Sequence, residues 1–149
     1  MSSTEDVGAW AAILRTHAAV LPKLSRALVA TGLPLTWYDV LLVVNAAPDR
    51  RLTMTELGRQ AVVSRERVSR VVTELEREGL LERQPNPDDR RSWFAVITPL
   101  GRRRLRKAAP VYLDAVRSHV LSHLSAHDRD VIASALWKVV EAEEADAAH

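Results

Sequence analysis

The 149-residue sequence contains no cysteine. Disulfides, thiolate-ligated zinc and thiol-based oxidant switches are therefore excluded. It also lacks any apolar run near the ~20 residues that a membrane-spanning helix requires. The opening MSSTEDV has neither the basic nor the apolar segment of a secretory leader, so a cytoplasmic location and no membrane partner are expected. Glycine numbers only five and aromatics only seven, four of them Trp. No glycine-rich phosphate loop, no G-x-S-x-G elbow and no paired metal motif is present, so neither an enzyme nor a bound cofactor is expected. Five histidines stand at 17, 119, 123, 127 and 149. His119 and His123 have a spacing at which one helix holds zinc, but no third ligand accompanies them, and a metal site is not expected.

What is present is an ordinary globular composition, 47% apolar and 27% charged, sized for a single core. The net charge of +2 conceals an uneven distribution. Arg50–Lys107 holds 15 basic and 8 acidic residues, whereas the remainder holds 6 basic and 11 acidic. A basic middle between acidic ends suits a polyanionic partner bound through the middle.

The stretch Met54–Leu80 reads as two helices joined by a tight turn. Two closely crossed helices need apolar residues at fixed positions and a small one at the contact. Leu57, Ala61, Val63, Val68 and Val71 supply the first, and Gly58 the second, where a larger side chain is expected to push the helices apart. Val62 stands at the turn, where glycine is common. Ser64 is placed to cap the second helix and Gly79 to end it. Val68, Val71, Val72 and Leu75 form its buried stripe. The rest of that helix offers Ser64, Arg65, Glu66, Arg67, Ser69, Arg70, Thr73 and Arg77. Arginine in a major groove donates bidentately to guanine, and hydroxyls bond several bases. Phosphates attract the same arginines without regard to sequence. An amphipathic surface helix whose glutamates pair with these arginines would show the same pattern.

The following residues separate those readings. Leu81–Gln84 is a short strand, Pro85–Arg91 a charged turn and Ser92–Ile97 a second strand. The run NPDDRRSWFAVITPLG, with Asp89 and Arg91 as an Asp-x-Arg pair and Ile97-Thr98-Pro99-Leu100-Gly101 in place of a Leu-Thr-x-x-Gly ending, resembles the wing signature of MarR-type (multiple antibiotic resistance regulator) winged-helix repressors. The resemblance is close over about 35–101 and covers the flanking helices by layout. It implies a homodimer binding a palindromic operator in double-stranded DNA, with Arg91, beside Arg90, entering the minor groove and the Asp89 carboxylate bracing the guanidinium. Such an insertion fits the negative potential of a narrow A·T-rich groove. It also implies release by a small aromatic or phenolic effector, for which Trp10, Arg15, His17, Trp37 and Tyr38 are the candidate liners by layout alone. A winged helix that binds proteins without specific DNA binding is the alternative.

The expected fold is mainly α with a small antiparallel β wing. Residues 35–98 form the winged helix-turn-helix, and 1–34 with 99–149 form a helical dimerisation region. In order, Asp6 caps a helix to about Ala30, bent near Pro22 and closed by Gly32. Thr36 caps the next, which Pro48 ends, and Arg50–Met54 is extended and available to the wing sheet. Thr55 caps the first helix of the pair. Thr98-Pro99 opens a helix to about Leu124, bent at Pro110, and Ser125 with Asp128 caps the last. The charges Arg102, Arg103, Arg104, Arg106 and Lys107 are read equally as a phosphate-contacting run or a solvated face.

Overall fold

The computed structural model describes residues 3–148. Among them, in chain order, lie α1 (Ser3–Leu28), α2 (Leu35–Ala46), β1 (Arg51–Thr53), α3 (Met54–Gln60), α4 (Arg65–Arg77), β2 (Leu81–Pro85), β3 (Trp93–Ile97), α5 (Pro99–His119) and α6 (Ala126–Ala147). The chain divides into a central unit, Leu28–Val111, and a flanking unit made of Met1–Ala27 and Tyr112–His149.

The central unit holds nearly all the core. Its largest fully buried side chains are aliphatic, contributed by α2 (Val40, Leu41, Val44), α3 (Leu57), α4 (Val68, Val72, Leu75) and the chain on either side of them. Burying each such side chain contributes roughly 1.5–3 kcal/mol. The three strands pair antiparallel in the order β1-β3-β2, so the expected extended piece does join the wing sheet, on the far side of β3. Alternation sets one sheet face inward through Leu52, Leu81, Ala95 and Ile97.

Where β3 gives way to α5 the backbones nearly touch. The Thr98 hydroxyl donates to the Gly79 carbonyl at 2.6 Å and accepts from the Gly101 N–H at 3.0 Å. A Cβ on Gly101 would overlap the Leu80 carbonyl oxygen and stand 2.9 Å from Ile97 Cγ1. Gly58 is different, since a Cβ there meets only Arg65 Cγ at 3.5 Å, an ordinary contact. The close-approach glycine is therefore Gly101, and the steric role expected of Gly58 is not found.

Several helix ends differ from expectation. α1 begins before Asp6, ends at Leu28 and passes through a 3-10 turn, Val29–Thr31, to Gly32 in the left-handed region at φ 74°. It runs on through Pro22, as α5 does through Pro110. α2 starts at Leu35 behind Pro34, whose fixed φ already suits a helix entry, so Thr36 lies inside it and caps nothing. α3 is capped by Thr53 rather than Thr55: the Thr53 hydroxyl accepts from Glu56 N–H at 3.2 Å and the Glu56 carboxylate accepts from Thr53 N–H at 2.9 Å. The glutamate needed for a reciprocal box lies three residues after Thr53, and none follows Thr55 at that spacing.

In the flanking unit only Leu24 and Ala115 are buried among the described residues. α5 stops at His119, so His123 falls in a following 3-10 turn and the two histidines do not share a helix face. Ser125 and Asp128 form the expected capping box, and the bonds from Ser125 hold the Asp128 carboxyl below its ordinary pKa. Every described residue of α6 is exposed, including the apolar Val131, Ile132, Leu136, Val139 and Val140.

Candidate nucleic-acid interface

The α3–α4 turn is held from outside itself. Asp39 of α2 accepts the Val62 N–H at 2.8 Å. Burial pushes the Asp39 carboxyl above the usual carboxylate range, while bonds from the Val62 and Val63 N–H groups pull it down. Among the described residues the only non-glycine positive φ values are at Asp49 and Arg50, so the turn needs no left-handed residue and tolerates Val62, which is exposed.

α4 then buries Val68, Val71, Val72 and Leu75 and leaves Arg65, Glu66, Arg67, Ser69, Arg70 and Arg77 exposed. Ser64 is the N-cap residue but makes no side-chain capping bond; its carbonyl accepts from the Arg67 and Val68 N–H groups. Ser64 is exposed, next in the chain to Arg65. Thr73 is half-buried and committed, donating to the Ser69 carbonyl at 2.9 Å and accepting from Arg83 Nη2 at 2.9 Å. Glu74 accepts from the Trp37 indole N–H at 2.9 Å, tying α2 to α4. None of the exposed arginines of α4 is in an ion pair among the described residues, so the alternative of a face neutralised by its own glutamates does not describe them.

The wing tip is closed by its own backbone. Asn86 Oδ1 accepts from Asp88 N–H at 3.0 Å, and the Asp89 carbonyl accepts from Ser92 N–H at 3.1 Å. Asp89 Oδ1 accepts from the Arg91 backbone N–H at 3.0 Å. The expected brace between the Asp89 carboxylate and the Arg91 guanidinium is therefore replaced by a turn cap: a two-residue spacing in a tight turn brings the carboxylate to the main-chain N–H before the long side chain can return to it. Arg90 and Arg91 are exposed. An open groove between the helix pair and the wing root is lined by Met54, Thr55, Gly58, Arg65, Val68, Ser69 and Trp93.

Two contributors escaped sequence reasoning. Arg83 stacks over Trp93 at 3.9 Å and pairs with Glu76 at 3.3 Å. Arg51 stacks over Phe94 at 4.3 Å, joining β1 to β3. Part of the signal for Arg83 was present: in a strand beginning at Leu81 it falls on the same side as that buried leucine, toward α4. In the basic run of α5, Arg104 is half-buried with Nη2 3.5 Å from the Gly32 carbonyl, while Arg103, Arg106 and Lys107 are exposed. Of the residues considered for an effector, Trp10, Arg15 and His17 are exposed on α1, Trp37 is half-buried and Tyr38 is 2% exposed in the central core.

A crossed helix pair whose second member carries unpaired arginines, followed by a hairpin with arginines at its tip, defines a winged helix-turn-helix of the DNA-binding class. The model of the MarR family matches residues 31–92. The HTH-type transcriptional repressor Rv2887 of Mycobacterium tuberculosis is 30% identical over 126 residues, 85% of this chain and 88% of that protein. The repressor YetL of Bacillus subtilis is 26% identical over 104 residues, 70% of this chain but 62% of YetL's length. The crystal structure of Sco3205, a MarR family transcriptional regulator from Streptomyces coelicolor in complex with DNA, superposes with a TM-score of 0.81 at 32% identity, covering 93% of this chain and 87% of that one. The chain belongs to the MarR family, and it is a DNA-binding transcriptional regulator. Among the described residues no single helix is long and apolar enough to cross a membrane.

Proposed function

We propose that the protein is a repressor that reads a palindromic operator as a homodimer, with α4 in the major groove and the wing tip in the flanking minor groove. Arg65, Arg67, Ser69 and Arg70 contact bases or phosphates, with Ser64, Glu66, Thr73 and Arg77 at the margins of that surface and Arg91, beside Arg90, entering the minor groove. The observation that carries this reading is the exposure, without ion-pair partners among the described residues, of Arg70 on the side of α4 opposite its buried stripe and of Arg65 and Arg67 on the flanks of that stripe. One reading surface covers few base pairs, and a two-fold pair covers a palindrome. The unburied apolar stripe of α6 supports a second copy as its cover, with 1–34 and 99–149 as the dimerisation region.

Response to a small aromatic or phenolic anion is the finer part of the proposal. Trp37 is the residue through which binding would be felt, because its indole N–H already bonds to Glu74 of α4. A ligand preferring a different helix spacing would shift the population away from the DNA-matched one.

Selection of bound sites from random duplexes tests the core of the proposal, and enrichment of a two-fold symmetric sequence is expected. Arg91→Ala should weaken binding to the enriched duplex about tenfold or more and flatten preference for A·T-rich flanks. Affinity unchanged at moderate salt would remove the wing from the reading surface.

A further inference from the structure

The wing tip carries its arginines on a turn whose hydrogen bonds are all internal to it. The direction in which the tip points is therefore set at the root of the hairpin. There Arg83 engages two elements through three features of one guanidinium. Nε pairs with Glu76 Oε2 at 3.3 Å, Nη2 donates to Thr73 Oγ1 at 2.9 Å, and the planar face lies 3.9 Å from the Trp93 ring centre. Thr73 and Glu76 are one turn apart on α4, and Trp93 is the diagonal neighbour of Arg83 across the β2–β3 ladder, since Arg83 faces Ala95.

We propose that Arg83 is a positioning residue that fixes the wing relative to the recognition helix, so that the minor-groove and major-groove contacts are made together. This rests on the DNA-reading function proposed above. The ion pair is more than a third exposed on both sides, so its contribution to stability is small. What the arrangement supplies is orientation: a planar fork with a fixed stacking face holds one geometry, which a lysine ammonium cannot reproduce. Thr73 extends the connection by donating to the carbonyl of Ser69, within the exposed face of α4.

The test uses the full-length protein and a duplex enriched by it from random sequence. Arg83→Lys keeps the charge and loses fork and stack. Its affinity for the enriched duplex is expected to fall about tenfold, while its binding to arbitrary duplex and the salt slope of that binding stay as in the wild type. Arg83→Lys added to Arg91→Ala is expected to cost under about twofold more, because the arginine being positioned is already gone. Glu76→Gln gives an opposite-sign check. Removing an acidic charge near DNA strengthens binding by electrostatics alone, whereas loss of the Arg83 anchor weakens binding to the enriched duplex, and weakening is expected. Wild-type affinity in Arg83→Lys, full additivity with Arg91→Ala, or tighter specific binding by Glu76→Gln each overturns the positioning role. Failure of the wild type to enrich any duplex would instead overturn the function on which it rests.

Discussion

Helices α4 and α6 both carry apolar residues recurring at helical intervals, and they meet opposite surroundings. On α4, Val68, Val71, Val72 and Leu75 are at most 3% exposed; on α6, Val131, Ile132, Leu136, Val139 and Val140 are 38–58% exposed. Periodicity specifies that a helix has a face to cover, and it is silent on what covers it. For α4 the cover is α2, α3 and the wing sheet of its own chain. For α6 no described residue supplies one, and a second copy is the cover we propose. One unit is thus self-sufficient, and the other is proposed to be completed by association.

A buried charge breaks the comparison from the α4 side. Val72→Asp should destabilise the central unit by more than about 4 kcal/mol, measured by denaturant titration, because an unpaired carboxylate enters a dry core. The corresponding change on α6, Leu136→Glu with Val139→Glu, should leave circular dichroism unchanged while light scattering shows half the mass. Affinity for the enriched palindrome should then fall roughly 100-fold. Unchanged mass would place the association face elsewhere.

Two glycines sharpen the contrast within the central unit. Gly101→Ala should cost about 2 kcal/mol or more, since the Leu80 carbonyl must move and the Thr98 bonds with it. Gly58→Ala should be neutral or stabilising by up to about 0.5 kcal/mol, from improved helix propensity with room for the methyl. Thermal melts of the two variants settle both.

The smallest effect concerns Asp39. Its folded-state pKa lies above the ordinary carboxylate value of 3.8 because burial disfavours the charge. Protonation therefore favours the folded state. The contribution is fully present below 3.8 and is lost as pH rises through the folded pKa. Asp39→Asn should abolish that dependence, so that stability of the wild type relative to the variant, followed by denaturant titration, declines as pH rises above 3.8. A flat difference across that window would show the carboxylate to be solvated.

Most of the architecture was legible because its signals are local. Hydrophobic spacing marked α4, β-rich runs marked the hairpin, and Ser125 with Asp128 marked the start of α6. The errors share one physical origin, which is that a side chain chooses among partners the sequence does not rank. Asp39, three residues after the expected cap Thr36, serves the distant Val62 turn. Asp89, assigned to a guanidinium, takes the main-chain N–H two residues on. Gly101 stands out in sequence only as the end of a Leu-Thr-x-x-Gly-like pattern, and the physical demand behind it, close approach to Leu80, exists only in the folded chain.

The strand order β1-β3-β2 places the last-made strand in the middle. β2 and β3 are neighbours in sequence and can zip as a hairpin, but Arg51 must wait for Val96 before β1 has anything to pair with. During synthesis, α3, which begins at Met54 directly after β1, stays untethered at its leading end until Ile97 has left the ribosome. Nascent chains halted before β3 should accordingly remain protease-sensitive across both α3 and α4, and extension through Ile97 should protect them in one step.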